Sequence, residues 1–343
     1  MPGTARVLAL DGGGIRGIIP ALVLERIEQS IGKPISDLFH MVAGTSTGGL
    51  LALGLTAPDG HGTGPRFGGA DAVALYRDRG ADIFSRSFRY RIGTLGGLTD
   101  AKYSAKGLED VLEAQFGETW ISEALVDVFV TAYDIEARTP RFLKSWKARG
   151  ESLAAGETAA DRDLLMRAAA RATSAAPTYF DPARVESRAG RSNCLVDGGV
   201  FANNPAMCAL ASALKIYPGA QRHLVLSLGT GELERKISCD KAEDWGLVGW
   251  ARPVLDIVFD GVSDTVDYQL RQNRALAYFR LQCDLGRFAD GSRGPNDDMD
   301  DASPENIAKL VRKAQEMIAA RQAEFDELVR RLAAPKDRRA DLL

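Results

Sequence analysis

Ser46 stands in Gly44-Thr45-Ser46-Thr47-Gly48, between an apolar run that begins at Met41 and a helix-compatible stretch from Leu50. A serine hydroxyl can attack an acyl carbon, and the Gly-x-Ser-x-Gly spacing suits a sharp strand-to-helix turn whose flanks pass too close for a Cβ. Such a turn exposes Oγ at a sheet end, where the N–H groups opening the next helix can face a developing oxyanion. Five residues in a chain with 35 glycines are a weak sign alone. The chemistry also requires a base and an anion-stabilising loop.

At neutral pH a serine needs a base to become a useful nucleophile. The three histidines are poorly placed for it: His40 lies in the strand before the turn, His61 in a glycine-rich loop, and His223 at the start of a strand rather than beyond its end. Each reads as structural or solvent-exposed. A carboxylate remains. Asp197 follows the apolar run Cys194-Leu195-Val196 and precedes Gly198-Gly199, which puts it at the same carboxyl edge of the sheet as Ser46. With an ordinary pKa near 3.9 it serves as a base only if desolvated and hydrogen-bonded to the serine. Asp11 also follows a strand, but is expected to brace the adjoining loop through backbone hydrogen bonds.

That loop, Gly12-Gly13-Gly14-Ile15-Arg16-Gly17, has two readings. Gly12, Gly14 and Gly17 satisfy the Gly-x-Gly-x-x-Gly dinucleotide fingerprint. Its usual acidic partner would be Asp37, which precedes its strand and so sits at the wrong edge. The other reading is a nest of backbone N–H groups that holds an oxyanion, with Arg16 adding positive charge.

The elements that carry these groups follow from local signals. Arg6 to Leu10 reads as a buried strand. A helix follows through Val23, Leu24, Ile27 and Ile31 to a stop at Gly32. Phe39 to Ala43 is the strand entering the turn. Val128 to Val130 is a strand with Arg141 to Trp146 as its partner, and Leu164 to Ala172 a helix ended by Pro177. Asn204 caps a helix from Ala206 to Ile216, and His223 to Leu228 is the most β-like run. Leu247 to Arg274 is expected as a helix split near Gly261, Tyr278 to Cys283 as a strand, and Pro304 to Leu332 as one amphipathic helix. Ser104 should cap a helix running to Phe116. Ser85 to Leu98 has no period and is a candidate flap, its Arg86, Arg89 and Arg91 available to a membrane interface. Strand, glycine loop, helix, strand, serine turn and helix in succession predict a three-layer α/β/α sandwich with a central, mostly parallel sheet.

The chain has 343 residues, 45% hydrophobic and 26% charged, with net charge −3 and pI near 5.8. That balance carries no footprint for nucleic acid. No apolar stretch approaches the roughly 20 residues of a bilayer span. The run before Asp11 is too short for a secretory signal. Cys194, Cys208, Cys239 and Cys283 are too scattered for a zinc site or disulfide framework, which points to a reducing cytoplasm. The acidic loop Gly286 to Ser303 lacks a glycine and a terminal glutamate at the calcium-loop spacing.

Three motifs in order, Asp11 to Gly17, Gly44 to Gly48 and Asp197 to Gly199, each after a strand, resemble the patatin-like phospholipase family. The resemblance extends to Ser174-Ala175-Ala176-Pro177-Thr178-Tyr179-Phe180 and to Val200-Phe201-Ala202-Asn203-Asn204-Pro205, and covers roughly Val7 to Gly231. It implies a lipid acyl hydrolase of the phospholipase A type with a Ser46–Asp197 dyad, an oxyanion hole at Gly12, Gly13 and Gly14 beside Arg16, and neither metal nor cofactor. It implies a single catalytic domain over residues 1–343, with core motifs in 7–231 and an extension of helices and a strand in 232–343. A cytoplasmic protein acting peripherally at membranes on a phospholipid or other acyl ester is the expectation. Similar bacterial patatin-like proteins serve in anti-phage systems, where a cyclic nucleotide switches on phospholipid degradation, so an activated effector is an alternative. A non-catalytic lipid-binding protein is another. The C-terminal amphipathic helix leaves a homodimer open.

Overall fold

Residues 3–61, 64–84, 106–232, 237–250 and 253–343 are described by the computed structural model. The expected flap from Ser85 to Leu98 and the Ser104 cap lie outside the described residues. Eight strands form one sheet: β1 (Thr4–Leu10), β2 (Met41–Gly44), β3 (Asp127–Asp134), β4 (Thr139–Lys144), β5 (Ala183–Glu186), β6 (Ser192–Asp197), β7 (Arg222–Leu228) and β8 (Leu276–Leu281). The order is β5-β6-β3-β2-β1-β7-β8, with β4 on the free side of β3. The pairs β3–β2, β2–β1, β1–β7 and β7–β8 are parallel, whereas β4, β5 and β6 join antiparallel.

Helices of eight or more residues are α1 (Ile18–Ile31), α2 (Thr47–Gly54), α3 (Gly69–Phe84), α4 (Lys106–Phe116), α5 (Met166–Thr173), α6 (Ala206–Ile216), α7 (Pro253–Gln272), α8 (Pro304–Ala320) and α9 (Gln322–Ala333). They cover both faces, because successive strand residues point to opposite sides. Leu8, Leu10, Val42, Val128, Leu224 and Leu226 pack with α1, α2, α3, α4, α8 and α9. Val7, Ala9, Met41, Ala43, Phe129 and Val225 pack under α6 on the other side. The result is the expected three-layer sandwich.

Two expectations give way in the C-terminal part. Helix α7 runs unbroken through Gly261, where nothing lies near enough to object to or exploit the missing side chain. The amphipathic stretch from Pro304 is two helices, broken at Arg321 with φ −114° and ψ 29°. Its guanidinium reaches back to donate to the Arg280 carbonyl at 2.7 Å. At the start of α6, Pro205 is the capping residue, and Asn204 Oδ1 accepts from the Ala206 N–H at 3.0 Å.

Candidate active site

Strand β2 ends at Gly44, and two residues later Ser46 turns the chain into α2. Ser46 takes φ 54° and ψ −125°, a backbone state costing about 1–3 kcal/mol unless its surroundings hold it. They do so. Its N–H donates to Thr173 Oγ1 at 2.9 Å, its carbonyl accepts from Leu50 N–H at 3.0 Å, and the neighbouring Thr45 Oγ1 donates to the Ala202 carbonyl at 2.6 Å. The flanking glycines are steric necessities. A Cβ on Gly44 would fall on the Gly48 carbonyl, and one on Gly48 would fall on the Leu10 carbonyl.

The topology then delivers the carboxylate. Strand β2 runs along β3 as far as Gly44, opposite Val130, and β6 comes from the other direction along the same edge to Asp197, opposite Ala132. The other edge of β3 belongs to β4. The two carboxyl ends therefore meet head-on, and the Ser46 hydroxyl stands beside Asp197, close enough to hold its carboxyl down. Asp197 is 2% exposed and accepts from the Gly199 N–H at 2.7 Å. Burial pushes its carboxyl up to about 7, against the opposing pull of those two neighbours. A carboxylate poised there can take a proton from a hydroxyl near neutral pH.

Above Ser46 and Asp197 lies the glycine loop. Gly13, Gly14, Ser46, Thr47 and Asp197 share one cavity of about 50 Å³, closed by Leu50, Ile83, Leu108, Phe180, Phe259 and Met299 among others. The Gly13 and Gly14 N–H groups have no partner in the chain among the described residues. Gly12 lies one layer back, its N–H donating to the Asn203 carbonyl at 3.1 Å and its carbonyl accepting from Thr230 Oγ1 at 2.8 Å. Arg16 is also behind the loop. Its Nε donates to the Gly13 carbonyl at 3.4 Å, and burial lowers its pKa while Asp297, Asp260 and Asp256 oppose that.

Asp11 departs from expectation. It pairs with Arg280 at 2.7 Å, 5% and 2% exposed for the arginine and aspartate side chains, and Arg280 also donates to Ser227 Oγ at 2.9 Å. Burial raises the Asp11 carboxyl and the Arg280 charge pulls it back. The loop is thus braced from β8 and, through a 2.9 Å bond from Ile15 N–H to the Met299 carbonyl, from the segment before α8. A charge pair separated by 269 residues leaves no local signature. Thr173, Asn203, Phe259 and Met299 are likewise apolar, small or amide residues that only the fold gathers.

No histidine lines the cavity. His40 is buried at the opposite edge, its Nδ1 accepting from Arg6 N–H at 2.9 Å and its Nε2 meeting the Asp337 carbonyl at 2.8 Å; burial lowers it to about 4 and keeps it neutral. His223 opens β7, and His61 is exposed. Asp37 is exposed in the turn before β2, away from the glycine loop. Among the described residues no three His, Cys, Asp or Glu side chains are grouped to hold a metal, and no helix is long and apolar enough to cross a membrane. The four cysteines are free thiols.

Sequence comparison agrees with the geometry. The sequence model of the family described as "Patatin-like phospholipase" matches residues 8–210. "Patatin-like protein 2" of Arabidopsis thaliana is 33% identical, over 91% of this chain and 82% of its own length. "Patatin-like protein 1" of Oryza sativa subsp. indica is 32% identical, over 92% and 81%. "Patatin-like protein 6" of Arabidopsis thaliana is 33% identical, over 94% and 68%. The chain belongs to the patatin-like phospholipase family.

Proposed function

We propose that the protein is a lipid acyl hydrolase of the phospholipase A type, working through a Ser46–Asp197 dyad. The observation that carries this is a serine on a strained turn that shares an apolar cavity with a buried carboxylate. Ser46 Oγ attacks the ester carbonyl as Asp197 takes the hydroxyl proton. The Gly13 and Gly14 N–H groups donate to the resulting oxyanion; a single such donor is commonly worth about 10²–10³ in rate. Collapse expels the alcohol, which receives its proton from Asp197, and leaves an acyl ester on Ser46. Asp197 then draws a proton from water as that water attacks the ester, and fatty acid and free serine are regenerated.

Product analysis on mixed phospholipids, with wild type and Ser46→Ala, is the test. Free fatty acid and lysophospholipid should appear with wild type and vanish with Ser46→Ala, and a fluorophosphonate probe should label only the wild type. Undiminished release of fatty acid by a folded Ser46→Ala protein refutes the proposal.

A further inference from the structure

The cavity at Ser46, about 50 Å³, is the smaller of two adjoining spaces. Beside it lies an apolar groove of about 370 Å³ between α2, α3 and α4. Leu50, Ile83 and Leu108 line both spaces, so the two adjoin there. At the far end stand Phe67 and Phe116, edge to face with ring centres 6.5 Å apart. Helix α2 aligns the two: Ser46, Leu50 and Gly54 recur at i, i+4 and i+8, on one face.

We infer that this groove is the binding site for the fatty-acyl chain of the substrate, and that Gly54 and Phe67 set the chain length it accepts. The inference rests on the acyl-hydrolase proposal above. A chain esterified to Ser46 and laid along α2 reaches Gly54 after about 12 Å, at 1.5 Å of helix rise per residue. At roughly 1.2 Å per extended bond, that is about the tenth carbon. Gly54 leaves the space for it: a Cβ there would meet nothing closer than Phe67 Cδ2 at 3.6 Å, ordinary contact. Burying one methylene is worth about 0.8 kcal/mol, close to fourfold in binding, so a groove that holds several discriminates strongly by length.

The experiment measures kcat/KM on p-nitrophenyl esters from butyrate to palmitate for wild type, Gly54→Leu, Phe67→Ala and Ser46→Ala. Wild type should improve with each added methylene. Gly54→Leu should follow wild type up to about octanoate and then diverge, its palmitate-to-butyrate ratio falling at least tenfold. Phe67→Ala, which opens the far end, should move the optimum to longer chains. Should Gly54→Leu fail to fold, the Phe67→Ala shift decides alone. An unchanged length profile in the active variants overturns the groove assignment while leaving the dyad intact. Retained butyrate hydrolysis by Ser46→Ala overturns the underlying proposal, whatever the length profile.

Discussion

Asp197→Asn separates the proposed catalytic use of the carboxylate from its structural cost. In the native protein the carboxyl sits at about 7 because it is buried; unfolded, it returns to the ordinary value near 3.9. Between those values the folded state holds a proton that the unfolded state has lost, so stability falls as pH rises through this window, and the full cost is present above pH 7. At about 1.4 kcal/mol per tenfold, that cost is about 4 kcal/mol at pH 8 and about 1.5 kcal/mol at pH 5. Asparagine removes the charge and keeps an oxygen for the Gly199 N–H. With unfolding entropy of about 2.1 cal/mol/K per residue over 343 residues, Asp197→Asn should melt about 6 °C above wild type at pH 8 and about 2 °C above it at pH 5. Its ester hydrolysis should be lost at every pH. Wild-type kcat/KM on an uncharged ester should fall about tenfold per pH unit below 7. Differential scanning fluorimetry across pH, beside an activity profile, measures all three. A variant less stable than wild type at pH 8, or an advantage that does not shrink towards pH 5, refutes the burial argument.

Breaking the Asp11–Arg280 pair with Arg280→Met should cost about 3–5 kcal/mol in urea unfolding, because it strands a buried charge. The double change Asp11→Leu/Arg280→Met should recover most of that, and a double variant as unstable as the single would show that packing dominates. His61→Ala and His223→Ala should keep kcat within about twofold, since neither lines the cavity. His40→Ala should lower stability by about 1–3 kcal/mol through its two lost hydrogen bonds while kcat survives, and a hundredfold fall in kcat for any of the three would mean that a histidine is the base.

The serine turn was readable because its signals are local: two glycines and a serine at fixed spacing, apolar on one side and helix-forming on the other. The position of Asp197 at a strand end was equally plain in Val196-Asp197-Gly198. That β6 runs antiparallel was not, because direction is set by pairing with β3 across some sixty residues rather than by its own composition. Gly261 suggested a break that did not occur, since an exposed glycine costs a helix only about 1 kcal/mol and α7 is anchored by the buried Leu270. The break at Arg321 leaves no mark in the sequence for the converse reason. The apolar stripe continues across it through Ile318, Phe325 and Leu328, and only the reach of Arg321 to Arg280 marks the site.

The brace on the glycine loop comes from residues made after the loop itself. In the order of synthesis Ser46 and Asp197 precede Arg280 and Met299, which fix Asp11 and Ile15. Arg280→Met in the full-length chain unfastens the loop from β8 and should slow labelling of Ser46 by a fluorophosphonate probe; equal labelling would show the loop to be self-sufficient. On the proposed mechanism, the oxyanion loop would reach its working position only once β8 and the segment before α8 are in place.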